Sequence, residues 1–347
     1  MSEIAIRTEG RAGRITLSRP QALNALTYEM VTAIAAALRN WRHDPAVALV
    51  LIDAEGERAF CAGGDIAEMY RTGMAGDCNY GRRFWRDEYV MNLALATWPK
   101  PVVSLMQGFT MGGGVGVGCH ATHRLVGESS RIAMPECGIG LVPDVGGSWL
   151  LARAPAGIGR YLAATGARMG PGDAILAGLA DGFVPQADWR ALTDALISTG
   201  DPGQITTFTR PPPDSPLGRD APAIAWAFAP GTADGIAGRL ESLTSDWAAA
   251  ARKALGRGSP LSIACALEMQ HRLAHGADLR VALALEYRFT HRAMAQGDFL
   301  EGIRAAIIDK DNAPRWRHSG SVPGREVAGM LAPLGPDELT FEEEETA

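Results

Sequence analysis

The sequence predicts an α/β protein with a mainly parallel sheet and a helical region toward its C-terminus. Two apolar runs, at 47–53 and 101–107, suit strands that are covered on both faces. Each run leads through a glycine-rich loop into a helical stretch, which is the alternation expected of an α/β fold. Apolar residues recur at helical spacing in 247–255 and 263–294, which predicts the helical region.

The first elements are a β-hairpin and an amphipathic helix. Segments 3–7 and 14–17 alternate apolar and polar residues around a glycine-containing turn, which is typical of a hairpin. Thr27 is a suitable helix cap, and Glu29 in the first turn favours a helix start. The predicted buried face of this helix consists of Met30, Ile34, Leu38 and Trp41.

The next elements alternate along the chain, and they are followed by a region of different composition. The predicted order is a strand at 47–53, a loop at 61–65, a helix at 81–98, a strand at 101–107, a glycine loop at 111–116, and short strands at 124–126 and 131–133. The segment 201–222 is proline-rich and predicts a linker or surface loop. We expect four parts: a catalytic core at 1–200, this linker, a helical region at 223–320 and a mobile acidic tail at 321–347.

The composition limits the class of protein and its surroundings. The 33 basic and 39 acidic residues give a net charge of −6, which argues against a general nucleic-acid binder. The five cysteines are odd in number and form no CxxC pair, which favours a reduced cytoplasmic protein over a disulfide framework. No apolar stretch approaches the ~20 residues of a membrane span, and the start lacks a signal-peptide pattern. We therefore expect no membrane partner.

Two glycine clusters, 61–65 and 111–116, each follow a predicted buried strand and precede a helix. A dinucleotide-binding GxGxxG pattern fails here, because its third glycine would fall on Val117 or Cys119. Loops of this kind present unpaired backbone N–H groups and could together bind a developing oxyanion. The alternative is that the glycines only let helices pack closely on the sheet, and spacing alone does not decide between the two.

Two carboxylates favour a catalytic interpretation of these loops. Glu136 and Asp144 lie in apolar segments rich in glycine and proline, eight positions apart across a Gly-Ile-Gly turn. Partial desolvation there would raise the pKa of either group, as general acid or base catalysis requires. The alternative for Asp144 is a helix N-cap, which residue chemistry alone does not exclude.

Four ordered motifs, RPQALNAL, RAFCAGGDI, QGFTMGGG and AMPE with GLVPDVGG, resemble the enoyl-CoA hydratase/isomerase (crotonase) superfamily. This resemblance covers about 1–195 and implies a spiral of ββα units. FWRDEYVMN, PDVGGS and the late EGIRAAIIDKDNAPRW resemble the superfamily's branch of 3-hydroxyisobutyryl-CoA hydrolases, and they extend the match to about residue 316.

The resemblance assigns roles by position in the motifs. Gly64 and Gly113 would supply the two oxyanion-hole amides. Glu136 would be the nucleophile or general base, and Asp144 would bind the substrate hydroxyl or assist departure of the thiolate. Glu88 would help to hold the acyl group. The coenzyme A moiety of the substrate would bind at Leu23, Asn24, Ala25, Arg58, Ala62, Gly63 and Ile66.

The position two residues after GGG separates the subtypes. The resemblance implies that hydratases carry a second glutamate there, whereas this chain has Gly116. We therefore expect hydrolysis of a short branched 3-hydroxyacyl-CoA, such as 3-hydroxyisobutyryl-CoA in valine degradation. The alternatives are an enoyl-CoA isomerase or atypical hydratase or lyase, and a non-catalytic acyl-CoA-binding protein. We expect no metal and no cofactor beyond the CoA of the substrate, and the superfamily implies a homo-oligomer.

Overall fold

Two sheets form the frame of the molecule in the computed structural model, which describes residues 3–155, 157–274 and 276–341. The strands are β1 (Ile4–Glu9), β2 (Ala12–Leu17), β3 (Leu49–Ala54), β4 (Ala59–Cys61), β5 (Val102–Met106), β6 (Phe109–Met111), β7 (His123–Val126), β8 (Arg131–Ala133) and β9 (Gly182–Phe183). The larger sheet has the order β1-β2-β3-β5-β7-β9, and the smaller sheet has the order β4-β6-β8.

The chain alternates between these sheets. β3, β5 and β7 of the larger sheet are each followed by a short strand of the smaller sheet, and then by helical structure. Among the nine strands described, every strand–strand pairing is parallel except the β1–β2 hairpin. The predicted α/β spiral of ββα units is therefore confirmed. Because parallel strands end at the same edge, the loops that follow β4, β6 and β8 lie side by side.

Helices surround the sheets and account for most of the second half of the chain. They are α1 (Tyr28–Trp41), α2 (Ala67–Met74), α3 (Asn79–Ala96), α4 (Gly113–Gly118), α5 (Gly147–Ala152), α6 (Ile158–Thr165), α7 (Pro171–Leu176), α8 (Trp189–Thr199), α9 (Ile205–Phe208), α10 (Pro216–Ala227), α11 (Ala233–Glu241), α12 (Asp246–Arg257), α13 (Pro260–Leu273), α14 (Leu279–Gln296), α15 (Phe299–Ile303) and α16 (Gly324–Met330). A π-helix (Arg304–Ile308) continues α15.

The predicted hairpin and first helix are confirmed. The Thr27 hydroxyl accepts the Met30 N–H at 3.3 Å and caps α1. The predicted apolar face of α1 is buried, with every member at most 7% exposed. These contacts fix α1 beside α3, and α3 in turn lines the cleft described below.

The helical C-terminal region packs directly on the N-terminal core. α13 packs on α5 and α6, and α14 packs on α3. The predicted helical stretch 263–294 is divided, because α13 ends at Leu273 and α14 is capped by Asp278, whose side chain accepts the Arg280 N–H. This packing places the C-terminal helices against the elements that carry the predicted catalytic residues.

Two segments differ in detail from the sequence predictions. The proline-rich segment 201–222 contains α9 and the first part of α10. Pro216 lies in the first turn of α10, where proline is well tolerated, whereas Pro222 lies inside the helix. Part of the predicted acidic tail is folded: α16 packs on α13 and α14, and Met330 is 4% exposed. Residues 342–347, which the tail prediction also covered, lie outside the described residues.

Within 3–155, 157–274 and 276–341, no helix combines the length and apolar character needed to cross a membrane. The five cysteines are free thiols, and all except Cys78 are buried.

Candidate active site

A small cavity of about 100 Å³ lies where the loops after β4, β6 and β8 meet α3 and the C-terminal helices. Its charged lining consists of Glu88, Glu136 and Asp144. Its backbone lining consists of the two glycine clusters, and its apolar lining includes Met69, Phe84, Trp85, Leu141 and Phe299. The sequence-predicted catalytic residues therefore share one enclosed space with a largely apolar wall.

The two glycine loops converge at this cavity. A Cβ atom built on Gly113 would lie 3.3 Å from the Gly64 backbone nitrogen, and one built on Gly63 would lie 3.9 Å from the Gly113 nitrogen. Gly113 is the first residue of α4, where backbone N–H groups have no carbonyl one turn earlier in the helix. Gly112 before it has φ of 50°, which a residue with a side chain rarely adopts. The arrangement brings two backbone amides to one wall of the cavity.

The carboxyl groups of Glu88 and Glu136 face the second glycine loop. A Cβ atom on Gly113 would lie 2.7 Å from Glu88 Oε1, and one on Gly112 would lie 2.9 Å from Glu136 Oε1. Glu88 Oε1 and Glu136 Oε2 are buried and have no hydrogen-bond partner in the described part of the chain. Buried polar atoms are rarely left without partners, so these oxygens suit a substrate or water that the cavity would bind.

Burial controls the protonation of all three acids. It raises the pKa of Asp144 to about 7, although the hydrogen bond from Tyr89 opposes this. Burial and then the charge of Asp144 raise the pKa of Glu136 and of Glu88 well above the ordinary glutamate value. A carboxylate with a raised pKa is a stronger base, and a protonated one can donate a hydrogen bond. The cluster can therefore supply both a base and an acid near neutral pH.

Tyr89 is a site residue that the sequence analysis did not single out. Its hydroxyl donates to Asp144 Oδ2 at 2.7 Å, and its side chain is fully buried. Asp144 does not cap a helix, because Gly146 is the N-cap of α5 and no side chain caps it. The N-cap alternative is therefore wrong. Tyr89 stands beside Glu88 in FWRDEYVMN, but nothing in the sequence indicates that α3 brings it to Asp144.

The position expected for a second glutamate in hydratases has no room for a side chain. A Cβ atom on Gly116 would lie 2.6 Å from Asn92 Nδ2 and 2.8 Å from Val145 Cβ. Real Cβ contacts are almost never shorter than 3.0 Å, so even alanine would force these buried neighbours to move. The glycine at this position is built into the packing of α4 against α3 and the Asp144 loop.

The residues predicted for CoA binding lie together beside the cavity, with the exception of Arg58. The turn at Leu23 and Asn24 has left-handed backbone and lies on the first glycine loop, where the Ala62 N–H donates to the Leu23 carbonyl at 3.0 Å. The Asn24 amide is occupied, donating to the Glu55 and Ala59 carbonyls. Ala62, Gly63 and Ile66 line the cavity, and Ala25 continues the turn. Arg58 is exposed and precedes β4, at the strand end away from the cavity.

A pH-dependent stability difference should accompany the buried acid. The pKa of Asp144 is about 7 in the folded protein and about 3.9 in an unfolded chain, so folding loses stability as pH rises through this range. Asp144→Asn removes this loss, and its melting temperature should exceed that of the wild type increasingly from pH 5 to pH 8. The difference corresponds to at most about 4 kcal/mol. Thermal unfolding at several pH values tests this, with the exposed Asp194→Asn as control; a difference independent of pH would contradict it.

Comparison with known proteins identifies relatives over the whole chain. The pattern of the family described as enoyl-CoA hydratase/isomerase matches residues 12–328. A Gallus gallus protein named 3-hydroxyisobutyryl-CoA hydrolase, mitochondrial, is 35% identical over 353 residues, which cover 97% of this chain and 91% of that protein. A Danio rerio protein of the same name is 37% identical, covering 92% of this chain and 86% of its own length.

Solved structures are similar over almost the full length as well. An enoyl-CoA hydratase from Rhodobacter sphaeroides 2.4.1 is 60% identical with a TM-score of 0.94, covering 98% of this chain and 100% of its own. A carnitinyl-CoA dehydratase from Mycobacterium thermoresistibile is 39% identical with a TM-score of 0.94, covering 99% of this chain and 100% of its own. The names of these relatives thus include hydrolase, hydratase and dehydratase.

Proposed function

We propose that this chain, which belongs to the enoyl-CoA hydratase/isomerase family, hydrolyses the thioester of a short branched 3-hydroxyacyl-CoA such as 3-hydroxyisobutyryl-CoA. The observation that carries the proposal is the enclosed group of Glu136, Asp144 and Glu88 beside two converging glycine loops, with Gly116 packed too tightly to be replaced by a second glutamate. The names of the curated relatives support the same reaction.

In the proposed mechanism the thioester carbonyl oxygen accepts hydrogen bonds from the Gly64 and Gly113 N–H groups. Glu136 either attacks the carbonyl carbon, giving a mixed anhydride, or removes a proton from an attacking water. The carbonyl electron pair moves to oxygen and returns as the C–S bond breaks, and coenzyme A leaves as a thiolate. In the first route water then cleaves the anhydride and regenerates Glu136. Each backbone donor to such an oxyanion is typically worth about 100- to 1000-fold in rate.

Asp144 and Glu88 act on the substrate beside the reacting bond. With its pKa near 7, Asp144 exists in both protonation states around neutral pH. It can accept a hydrogen bond from the 3-hydroxyl or give a proton to the departing sulfur. Burial raises the pKa of Glu88 well above the ordinary glutamate value, and in its protonated form Glu88 can donate to the same hydroxyl. The two side chains thus form a polar end to an otherwise apolar acyl pocket.

We also propose how the enzyme binds CoA, in which compartment it acts and that it is an oligomer. The turn at 23–25 and the loop at 62–66 would hold the pantetheine part of CoA. The exposed Arg58 lies at the other end of β4 from the cavity, so it would meet only the distal phosphates. The product class fits valine degradation, and no other cofactor is required by the mechanism. The free thiols fit a reducing compartment, for which we propose the cytoplasm, and the enzyme would form a homo-oligomer.

The proposed function predicts discrimination by the 3-hydroxyl. Isobutyryl-CoA lacks this group and would leave Glu88 Oε1 buried without a partner and the Asp144 carboxyl with Tyr89 as its side-chain partner. We expect kcat/KM for (S)-3-hydroxyisobutyryl-CoA to exceed that for isobutyryl-CoA by about 100-fold or more. Release of free thiol, followed with a thiol-reactive dye, measures both. Equal values would exclude hydroxyl recognition by these acids.

The alternative function is hydration, dehydration or isomerisation of an unsaturated acyl-CoA without loss of the thioester. The name of the 60% identical structure favours it, and Asp144 or Glu88 could supply a second carboxyl beside Glu136. It predicts that crotonyl-CoA or a 3-enoyl-CoA is converted while no thiol is released. A non-catalytic acyl-CoA-binding protein would convert neither substrate class.

A further inference from the structure

The turn that follows Asp144 has an unfavourable backbone conformation. Val145 has φ of 53° and Gly146 has φ of 78°, so two successive residues lie in the left-handed region. Glycine adopts this region freely, but a β-branched residue there is a genuine outlier with a strained backbone. Such a conformation persists only where its surroundings impose it. The turn also presses the Val145 side chain against Gly116, where it fills the space of a larger residue.

Two buried side chains from different parts of the chain hold this turn. From α14, Glu286 Oε2 accepts the Gly146 N–H at 2.8 Å, and Oε1 accepts the Ser148 N–H at 3.1 Å and the Ser148 hydroxyl. From the end of α4, His120 Nε2 donates to the Val145 carbonyl at 2.7 Å, since a carbonyl oxygen only accepts. Glu286 is 0% exposed, and His120 is 5% exposed.

Neither side chain lines the cavity, yet both hydrogen-bond to the backbone next to Asp144. The Asp144 side chain itself is fixed from a third direction by the Tyr89 hydroxyl. A buried carboxylate is costly, and burial raises the pKa of Glu286 to about 8 against the opposing hydrogen bonds from Ser148 and Gly146. Apolar packing could fill the same volume at lower cost, so a buried carboxyl group here indicates a requirement for its hydrogen bonds to Gly146 and Ser148.

We propose that Glu286 and His120 are positioning residues that hold the Val145–Gly146 turn in its left-handed conformation and thereby fix the position of the Asp144 carboxyl group. The catalytic consequence rests on the proposed function, whereas the structural consequence does not. The C-terminal helical region would then support catalysis, because Glu286 on α14 bonds to the residues that follow Asp144 in the N-terminal core.

Glu286→Gln tests the proposal with a nearly isosteric change. Glutamine has one acceptor oxygen, so its amide NH₂ must face either the Gly146 or the Ser148 N–H. We expect kcat for thioester hydrolysis to fall about 10- to 100-fold, because displacement of a catalytic group by about 1 Å costs this much, while KM changes less than about threefold. A control for the loss of charge alone is Asp173→Asn, because Asp173 does not line the cavity and its Oδ1 accepts both the Ser215 hydroxyl and the Leu217 N–H, which asparagine can keep. The control should retain its kcat.

If Glu286→Gln does not fold, two variants of His120 test the same proposal. His120→Ala removes the donor to Val145, whereas His120→Gln can return an N–H near the same place. We expect the alanine variant to lose kcat about tenfold or more and the glutamine variant to recover most of it. Equal activity of both folded variants, or an unchanged kcat in folded Glu286→Gln, overturns the proposal.

Crystal structures of wild type and Glu286→Gln provide a test that needs no activity. We expect Val145 to leave the left-handed region and the Tyr89–Asp144 hydrogen bond of 2.7 Å to break or lengthen. An unchanged turn would overturn the proposal even if activity fell. If the wild type releases no thiol from any 3-hydroxyacyl-CoA, the proposed function is wrong. The two crystal structures still show whether Glu286 holds the Val145–Gly146 turn in its left-handed conformation.

Discussion

Replacing Glu136 with glutamine is expected to lower kcat for thioester hydrolysis by about a thousandfold or more. An amide is neither a competent nucleophile nor a base, whereas the size of the side chain and its contacts are nearly conserved. Glu136 is 5% exposed, and one of its oxygens has no partner in the described structure, so the exchange should not reduce stability. Removal of a raised-pKa acid should instead stabilise the fold above neutral pH. Thiol release under saturating substrate measures kcat.

Glu268→Gln is the matched control for this variant. Glu268 lies on the surface of α13 and pairs with Arg272 at 2.8 Å, so its replacement should leave kcat unchanged. A folded Glu136→Gln protein with more than a tenth of wild-type kcat would show that another group performs the attack, and Asp144 would then be the first candidate.

Replacing Gly113 with alanine is expected to lower kcat about 100- to 1000-fold. The added Cβ atom would lie 2.7 Å from Glu88 Oε1 and 3.3 Å from the Gly64 nitrogen, which is the space assigned to the substrate oxyanion. The methyl group should therefore displace both the Glu88 carboxyl and the thioester oxygen. Gly113 has an ordinary helical backbone rather than positive φ, so the fold should tolerate alanine better than it would at Gly112.

Gly238→Ala provides the comparison for this substitution. Gly238 lies in α11, and a Cβ atom there would meet nothing within 4 Å. This variant should keep full activity and gain a little stability, because alanine favours helices over glycine. Activity of Gly113→Ala within tenfold of the wild type, with the fold intact, would place the oxyanion elsewhere.

Local patterns were sufficient to predict the frame of the fold. The β1–β2 hairpin, the Thr27 cap and the buried strands at β3 and β5 follow from periodicity and turn chemistry, which depend on neighbouring residues only. The break between α13 and α14 was missed, because apolar spacing continues through it and the capping side chain of Asp278 gives a weak signal.

Only those residues of the candidate site that lie within a recognisable sequence motif could be predicted. Glu136, Asp144 and the glycines lie in segments whose unusual composition indicates chemistry, and the structure brings them to one cavity. Tyr89 and Glu286 act through contacts 55 and 140 positions away along the chain. No local pattern encodes such pairings, which arise when α3 and α14 pack beside the Asp144 loop.

The left-handed conformation of Val145 was equally inaccessible to sequence reasoning. Valine disfavours this region, and the side chains that we propose to hold the turn, His120 and Glu286, bond to it from 25 and 140 positions away along the chain. The packing of Val145 against Gly116 also could not be derived from the motif, although it gives the glycine at 116 a physical reason.

We propose that this enzyme hydrolyses the thioester of a 3-hydroxyacyl-CoA rather than adding water to the double bond of an enoyl-CoA. The most direct measurement supplies the wild-type protein with an equimolar mixture of (S)-3-hydroxyisobutyryl-CoA and crotonyl-CoA, and follows all products by mass spectrometry. We expect free CoA and 3-hydroxyisobutyrate to accumulate while crotonyl-CoA persists. Conversion of crotonyl-CoA to its hydrated thioester, with 3-hydroxyisobutyryl-CoA left intact, would contradict it and establish a hydratase.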